Sequence, residues 1–155
     1  MEEIQTVKVF DRPHAIALAE AKKDFLNRFL PELKKQIDLK TGLDAGCGFG
    51  YFSKYLKDIG LEVTAFDGRP ENIAEARKRY PEVNFILHNV EDPTIQKLGY
   101  YDVILCLGLL YHLENPFLAI RNLAAITKKV LIIETMIAPF KQPIAILQEE
   151  DFGED

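Results

Sequence analysis

Cysteine is scarce in this 155-residue chain: Cys47 and Cys106 are the two present, both inside apolar runs. That excludes a disulfide framework, and also a structural zinc site, which takes about four ligands at set spacing. Long hydrophobic runs are missing too. The longest, Val103 to Tyr111, includes Gly108 and falls far short of the ~18 residues a membrane-spanning helix needs. The N-terminus opens on Glu2 and Glu3, where a secretory signal or transit peptide would carry a basic segment running into an apolar one. These absences predict a reducing, cytoplasmic setting and no membrane partner.

An excess of positive charge is also absent, the formal net charge being −5 from 24 acids and 19 bases. Glu149, Glu150, Asp151, Glu154 and Asp155 near the C-terminus account for that excess, and the rest of the chain is balanced. Lysines and arginines occur as short pairs such as Lys22-Lys23, Lys34-Lys35 and Lys128-Lys129, which read as solvated helix faces and a strand start. Charge-driven nucleic-acid binding is therefore unsupported. With 48% of residues hydrophobic and no internal repeat, the expectation is one globular domain with a sizeable core.

Helix and strand patterns alternate along that domain. Ile16, Ala19, Phe25, Leu26, Phe29, Leu30 and Leu33 recur at helical spacing between Pro13 and Ile37, with Pro31 expected to kink or split the segment. Gly42–Ala45, Leu61–Phe66, Val83–Leu87, Asp102–Leu107 and Val130–Glu134 read as strands. Between them fall helices over Tyr51–Ile59, closed by Gly60, over Pro70–Tyr80, and after the Asn115-Pro116 cap. In that last helix, Phe117, Ile120, Leu123 and Ala124 are expected to share the buried face, and Pro93 to Gly99 reads as loop. The nearly continuous apolar run of Asp102–Leu107 marks a strand covered on both faces. The fold class is thus α/β, a doubly wound and mainly parallel five-stranded sheet. The division is a helical arm over 1–38, a core over 39–135 and a tail over 136–155, acidic at its end.

The element that points to chemistry is Leu43-Asp44-Ala45-Gly46-Cys47-Gly48-Phe49-Gly50, between the first strand and its helix. Three alternating glycines let the backbone turn sharply and approach a ligand closely. Asp67 follows at the end of the second strand, where a carboxylate can accept both hydroxyls of a ribose. Strand, glycine loop, helix, strand and acid together describe a nucleoside site. Asp44 beside the loop disfavours a pyrophosphate and suits a cationic ligand. Together with GxGxG in place of GxGxxG, it weakens an NAD-dependent oxidoreductase.

Through this loop and Asp67, then Asn89-Val90-Glu91-Asp92 and the stretch Tyr101 to Leu113, the sequence resembles the class I S-adenosylmethionine-dependent methyltransferases from about Lys40 to Glu134. The resemblance implies a Rossmann-like methyltransferase fold, S-adenosyl-L-methionine as cofactor and S-adenosyl-L-homocysteine as product. It implies that Gly46, Cys47, Gly48 and Gly50, with Ala45, underlie the methionine part and ribose, and that Asp44 lies near the methionine amino group. Asp67 would hold the ribose hydroxyls, with Gly68 and Arg69 flanking the adenosine. Asn89, Val90 and Glu91 would meet the adenine, and Leu107 and Gly108 would form the wall after the fourth strand. His88 reads as structural or as an edge to the adenine, and Arg12 or Lys22 of the arm as a contact for the ligand carboxylate.

Tyr111 and His112 follow the fourth strand at the edge where ligands bind in such folds, and they are the candidate catalytic pair. His112 is either a base or a structural cap. The Asn/Asp-Pro-Pro-Tyr signature of nucleobase amino-group methylases is absent, the corresponding residues being Leu107 to Leu110. The expected function is methyl transfer to an unidentified small-molecule or macromolecular acceptor, with a non-catalytic binding module of the same fold as the alternative. The residues after Glu134 are too few for the two further strands that the resemblance implies. The terminal antiparallel hairpin is therefore expected to be missing, turnover by the isolated chain to be weak, and the row Val130 to Ile133 to pair with a second copy.

Overall fold

Strand β1 (Thr41–Ala45) forms the middle of a parallel sheet with β2 (Glu62–Asp67), β3 (Asn84–Leu87), β4 (Tyr101–Leu107) and β5 (Thr127–Glu134). The computed structural model describes residues 8–137 together with 139 and 141. Strand order is β3-β2-β1-β4-β5, so the chain winds outward from β1 first in one direction and then in the other. The helices are α1 (Pro13–Gln36), α2 (Tyr51–Asp58), α3 (Pro70–Arg79) and α4 (Pro116–Ile126).

Alternation along the strands assigns each face its helices. Val103 and Leu105 of β4 point into a core with Leu26 and Leu30 of α1, Leu56 of α2 and Ile73 and Ala76 of α3. Ile104 and Cys106 point the other way, against Ala119, Leu123 and Ile126 of α4. Both faces of β4 are therefore dry, as its unbroken apolar run requires. At its start, the Asp102 carboxylate accepts the Lys40 and Thr41 amides at 2.9 and 3.1 Å and pairs with Lys129 at 3.2 Å. Burial would raise this carboxyl, but the two amides and the ammonium together hold it down at about 2.

Three expectations about the elements need correction. Pro31 neither splits nor ends α1, which runs through it; Leu26 and Leu30, essentially inaccessible in the core, anchor the helix over the missing hydrogen bond. Phe117 is 77% exposed and Ala124 is exposed. The buried stripe of α4 is Ala119, Leu123 and Ile126, with Ile120 packed partly against the same core. Within the expected loop, Pro93–Leu98 form a 3-10 turn, capped by the Asp92 carboxylate on the Thr94 amide at 2.7 Å and seated by buried Ile95. Asn115 caps α4 as its type predicts, accepting the Leu118 amide at 3.0 Å. The acidic end of the tail, and with it the expected loss of a terminal hairpin, lies outside the described residues.

Candidate functional site

The strand order reverses between β1 and β4, and the loops leaving those two strands part to open a crevice at their C-terminal ends, the usual place for a ligand in such sheets. A cavity of about 800 Å³ occupies it, within the ~300–1,000 Å³ of typical ligand pockets. Its floor is the glycine loop. Gly46, Gly48 and Gly50 have φ of 73°, 52° and 87°, the left-handed region that side chains disfavour. A Cβ on Gly46 would lie 2.9 Å from Leu109 and one on Gly48 3.0 Å from Phe10, so the loop is closed in from above. The Gly46 and Cys47 amides both donate to the Phe66 carbonyl at 2.9 Å, tying the loop to β2.

Asp67, at the end of β2, is 8% exposed and holds three protein donors. Oδ2 accepts the Gly48 amide at 2.9 Å, and Oδ1 accepts the Arg69 amide at 2.9 Å and Asn72 Nδ2 at 3.1 Å. A carboxylate offers about four lone-pair sites, so one direction is left for a ligand. Beside Asp67, whose carbonyl accepts the His88 amide at 3.1 Å, the His88 ring stands edge-on to Phe66 at 5.7 Å, and its buried Nε2 has no hydrogen-bond partner among the described residues.

Asp44 lies beneath the loop and not in the cavity wall. It is 2% exposed and accepts the Ser53 hydroxyl at 2.6 Å. Burial pushes its carboxyl up to about 6; the Ser53 bond works against that rise and the Asp67 charge adds to it. Burial likewise drives the Cys47 thiol far above its ordinary range and Cys106 up to about 12, which leaves both unsuited to nucleophilic work.

The arm forms the roof. Val9–Asp11 make a 3-10 turn ahead of α1, and Phe10 packs edge-on against Phe49 at 4.8 Å. Arg79 of α3 holds the turn in place, donating to both Asp11 oxygens at 2.9 and 2.7 Å and to Glu75 at 2.8 Å. Its guanidinium also lies 4.7 Å from the Phe49 ring. Lys8 pairs with the same Glu75.

Among the residues expected from sequence, Gly46, Cys47, Gly48, Asp67, Gly68, Arg69, Asn89, Val90, Leu107, Gly108, Tyr111 and His112 line this cavity, as do Arg12 and Lys22. Asp44, Ala45, Gly50 and Glu91 do not. Ala45 is fully buried in the core, Gly50 faces Phe85 at the start of α2, and Glu91 accepts the Asn115 amide at 2.7 Å. Phe10, Tyr51, Asn72, Arg79 and Leu109 line the cavity without having been expected. Asn72 alone had a signal, a polar residue one turn into the helix that follows Asp67.

The cradle of left-handed glycines, the spare direction on Asp67 and the orphan His88 nitrogen fit a nucleoside. Residues 13–150 match the family model described as "Methyltransferase domain". Ubiquinone biosynthesis O-methyltransferase from Xanthomonas campestris pv. campestris (strain B100) is 34% identical over 90 residues, covering 56% of this chain and 38% of that one. The same-named protein of Xanthomonas oryzae pv. oryzae (strain PXO99A) is 33% identical over the same shares. The matched stretch is thus well under half of those relatives' length. Magnesium protoporphyrin IX methyltransferase from Synechocystis PCC 6803, solved with bound S-adenosylmethionine, superposes with TM-score 0.62 at 21% identity, covering 79% of this chain and 60% of that one. A plantazolicin methyltransferase gives 0.60 at 22%, covering 82% and 55%; both likenesses concern the fold. On the match over most of its length, this chain belongs to the methyltransferase-domain family.

Proposed function

We propose that the cavity binds S-adenosylmethionine and that the protein transfers its methyl group to an acceptor, a small molecule being favoured by the names of the relatives. The observation that carries the reading is the Asp67–Gly48 hydrogen bond between the end of β2 and the loop leaving β1, which couples an acid suited to ribose hydroxyls with a loop open to close approach. When bound, the cofactor supplies a methyl group activated on a sulfonium. Gly46 and Gly48 let the backbone pass beneath the ligand, Asp67 with Gly68 and Arg69 orients the ribose, and His88, Asn89 and Val90 meet the base. The buried Asp44 carboxylate, when ionised, biases the loop toward a cationic ligand without touching it.

Orientation and exclusion of water are most of what methyl displacement asks of a protein. Phe10 and the arm exclude water above the loop, while Leu107 and Gly108 form the wall beside it. His112 accepts the acceptor's proton on its imidazole where the acceptor has one to lose, a contribution of about 10²–10⁴-fold. The two buried thiols fit a reducing, cytoplasmic setting. Among the described residues β5 is the outermost strand of the sheet, with Ile133 37% exposed; this supports self-association, and sedimentation velocity should return a dimer, whereas a monomer at all concentrations removes this part.

Thermal and chemical denaturation test the reading. S-adenosylhomocysteine at 100 times its Kd should stabilise the fold by about 2.7 kcal/mol, and NAD should leave it unchanged. Stabilisation by NAD alone overturns the assignment. Once an acceptor is in hand, His112→Ala should lower turnover by about two to four orders of magnitude with S-adenosylhomocysteine affinity retained.

A further inference from the structure

Between α1 and β5 lies a second hollow, a groove of about 450 Å³. Its α1 wall is apolar and uncovered: Leu18 and Phe25 are 60% and 49% exposed, and the Phe25 ring stacks on Phe29 at 5.6 Å with the planes 12° apart. Leu18, Phe25 and Phe29 stand at i, i+7 and i+11, on one face of the helix. Leu26, Leu107 of β4 and Ile132 of β5 supply more of the lining. The groove is open because position 21 is alanine. Ala21 falls one turn from both Leu18 and Phe25, lines the groove and takes no part in the lining of the main cavity.

Three features limit what can occupy it. The groove and the main cavity share Leu18, Lys22 and Leu107, so the groove is a branch of the site and not a detached patch. Among the described residues its charged lining groups are Lys22 and Glu134, which pair with each other at 2.6 Å. That leaves no net charge to attract an ionic group, and burial of apolar surface is the interaction on offer. The shape is elongated, Leu18 to Phe25 spanning about 10 Å along the helix axis and Phe29 extending that wall by about one further turn. A second copy pairing with the edge of β5 would run in the plane of the sheet and leave this face, on the α1 side, open.

We propose that this groove holds an aliphatic chain of the methyl acceptor, whose reacting head occupies the main cavity. The proposal rests on the methyl-transfer reading of that cavity and names the class of acceptor it serves: a small molecule with a neutral hydrocarbon tail. Ala21 sets the room for the tail, and Phe25 with Leu18 supplies the surface it covers.

Calorimetry on the full chain saturated with S-adenosylhomocysteine tests this with 4-methylphenol, 4-butylphenol and 4-hexylphenol, which keep one small head and lengthen the tail. Wild-type affinity should rise about fourfold for each methylene buried and level off once the groove is full. Ala21→Leu, which puts a branched side chain into the groove, should abolish the rise and leave the affinities for S-adenosylhomocysteine and 4-methylphenol unchanged. Phe25→Ala should make the rise shallower. A rise equally steep in Ala21→Leu places the tail elsewhere and overturns the proposal. No rise in the wild type, with S-adenosylhomocysteine still bound, overturns it while sparing the nucleoside reading; a change of oligomeric state or of melting temperature in Ala21→Leu then assigns the groove to a second copy or to this chain's own tail. If the wild type does not bind S-adenosylhomocysteine, the methyl-transfer reading falls and this proposal falls with it.

Discussion

Asp67 and Gly48, 19 residues apart, are joined by a hydrogen bond of 2.9 Å from the Gly48 amide to Oδ2. The acid that would orient a ribose is thus also the strut that holds the glycine loop in shape. Asp67→Ala should accordingly fail twice. It leaves the Gly48 and Arg69 amides without their acceptor, a loss of about 1–3 kcal/mol of stability for buried donors, and weakens S-adenosylhomocysteine by a similar free energy. Urea unfolding and calorimetry on one preparation check both; loss of stability with unaltered affinity removes Asp67 from the ligand site.

Asp44 makes stability depend on pH in the sense opposite to an ion-paired acid. Its carboxyl is raised to about 6 by burial, so between about pH 4 and 6 the folded protein keeps a proton that the unfolded chain has lost. Asp44's contribution to stability therefore falls as pH rises through that window. Asp44→Asn retains an acceptor for the Ser53 hydroxyl and removes the charge. Relative to wild type it should gain stability from pH 4 to 7, by at most about 3 kcal/mol, and the gain should level off above. A difference independent of pH contradicts the account.

Gly50 and Gly60 separate strain from crowding. Both have φ of 87°; a Cβ on Gly50 would lie 2.7 Å from the Phe85 ring, and one on Gly60 would meet nothing within 4 Å among the described residues. Gly60→Ala should cost about 1–2 kcal/mol, the left-handed penalty alone. Gly50→Ala should cost distinctly more, with overpacking adding about 1–3 kcal/mol. Equal losses in guanidinium unfolding would show that Phe85 yields.

Arg79 fastens the roof, through its paired bonds to Asp11, while standing 29% exposed. Arg79→Ala should change global stability by only about 1 kcal/mol or less, yet raise the dissociation rate of a fluorescent S-adenosylhomocysteine analogue severalfold in stopped flow. Added salt should quicken release from the wild type and have less effect on the variant. Unaltered release rates would mean that Phe10 is not held by this latch.

The sequence made the sheet legible because each strand is a short apolar run bounded by glycine, proline or an acid, and β4, buried on both faces, is apolar almost throughout. The glycine loop and Asp67 were legible for the same local reason. What escaped was set by distance or direction. The Asp11–Arg79 pair spans 68 residues, and no local pattern brings Phe10 over Gly48. Asp44 and Glu91 have the right side chains at the right positions but turn to Ser53 and to the Asn115 amide, a matter of strand facing and capping that residue type does not reveal. Pro31 misleads because the burial of Leu26 and Leu30 outweighs a local propensity.

On the proposed reading this cavity, floored by Gly46 and Gly48 and flanked by Asp67 and His88, is the seat of the sulfur nucleoside. Amide and imidazole nuclear magnetic resonance of the labelled protein, titrated with S-adenosylhomocysteine and separately with NAD, tests it most directly. The predicted result is that S-adenosylhomocysteine shifts the amides of Gly46, Gly48, Gly68, Val90 and Gly108 together with the His88 ring, while signals of the C-terminal half of α1 around Lys34 stay in place and NAD shifts none of them. Shifts confined to residues outside the cavity, or produced by NAD and not by S-adenosylhomocysteine, would contradict it.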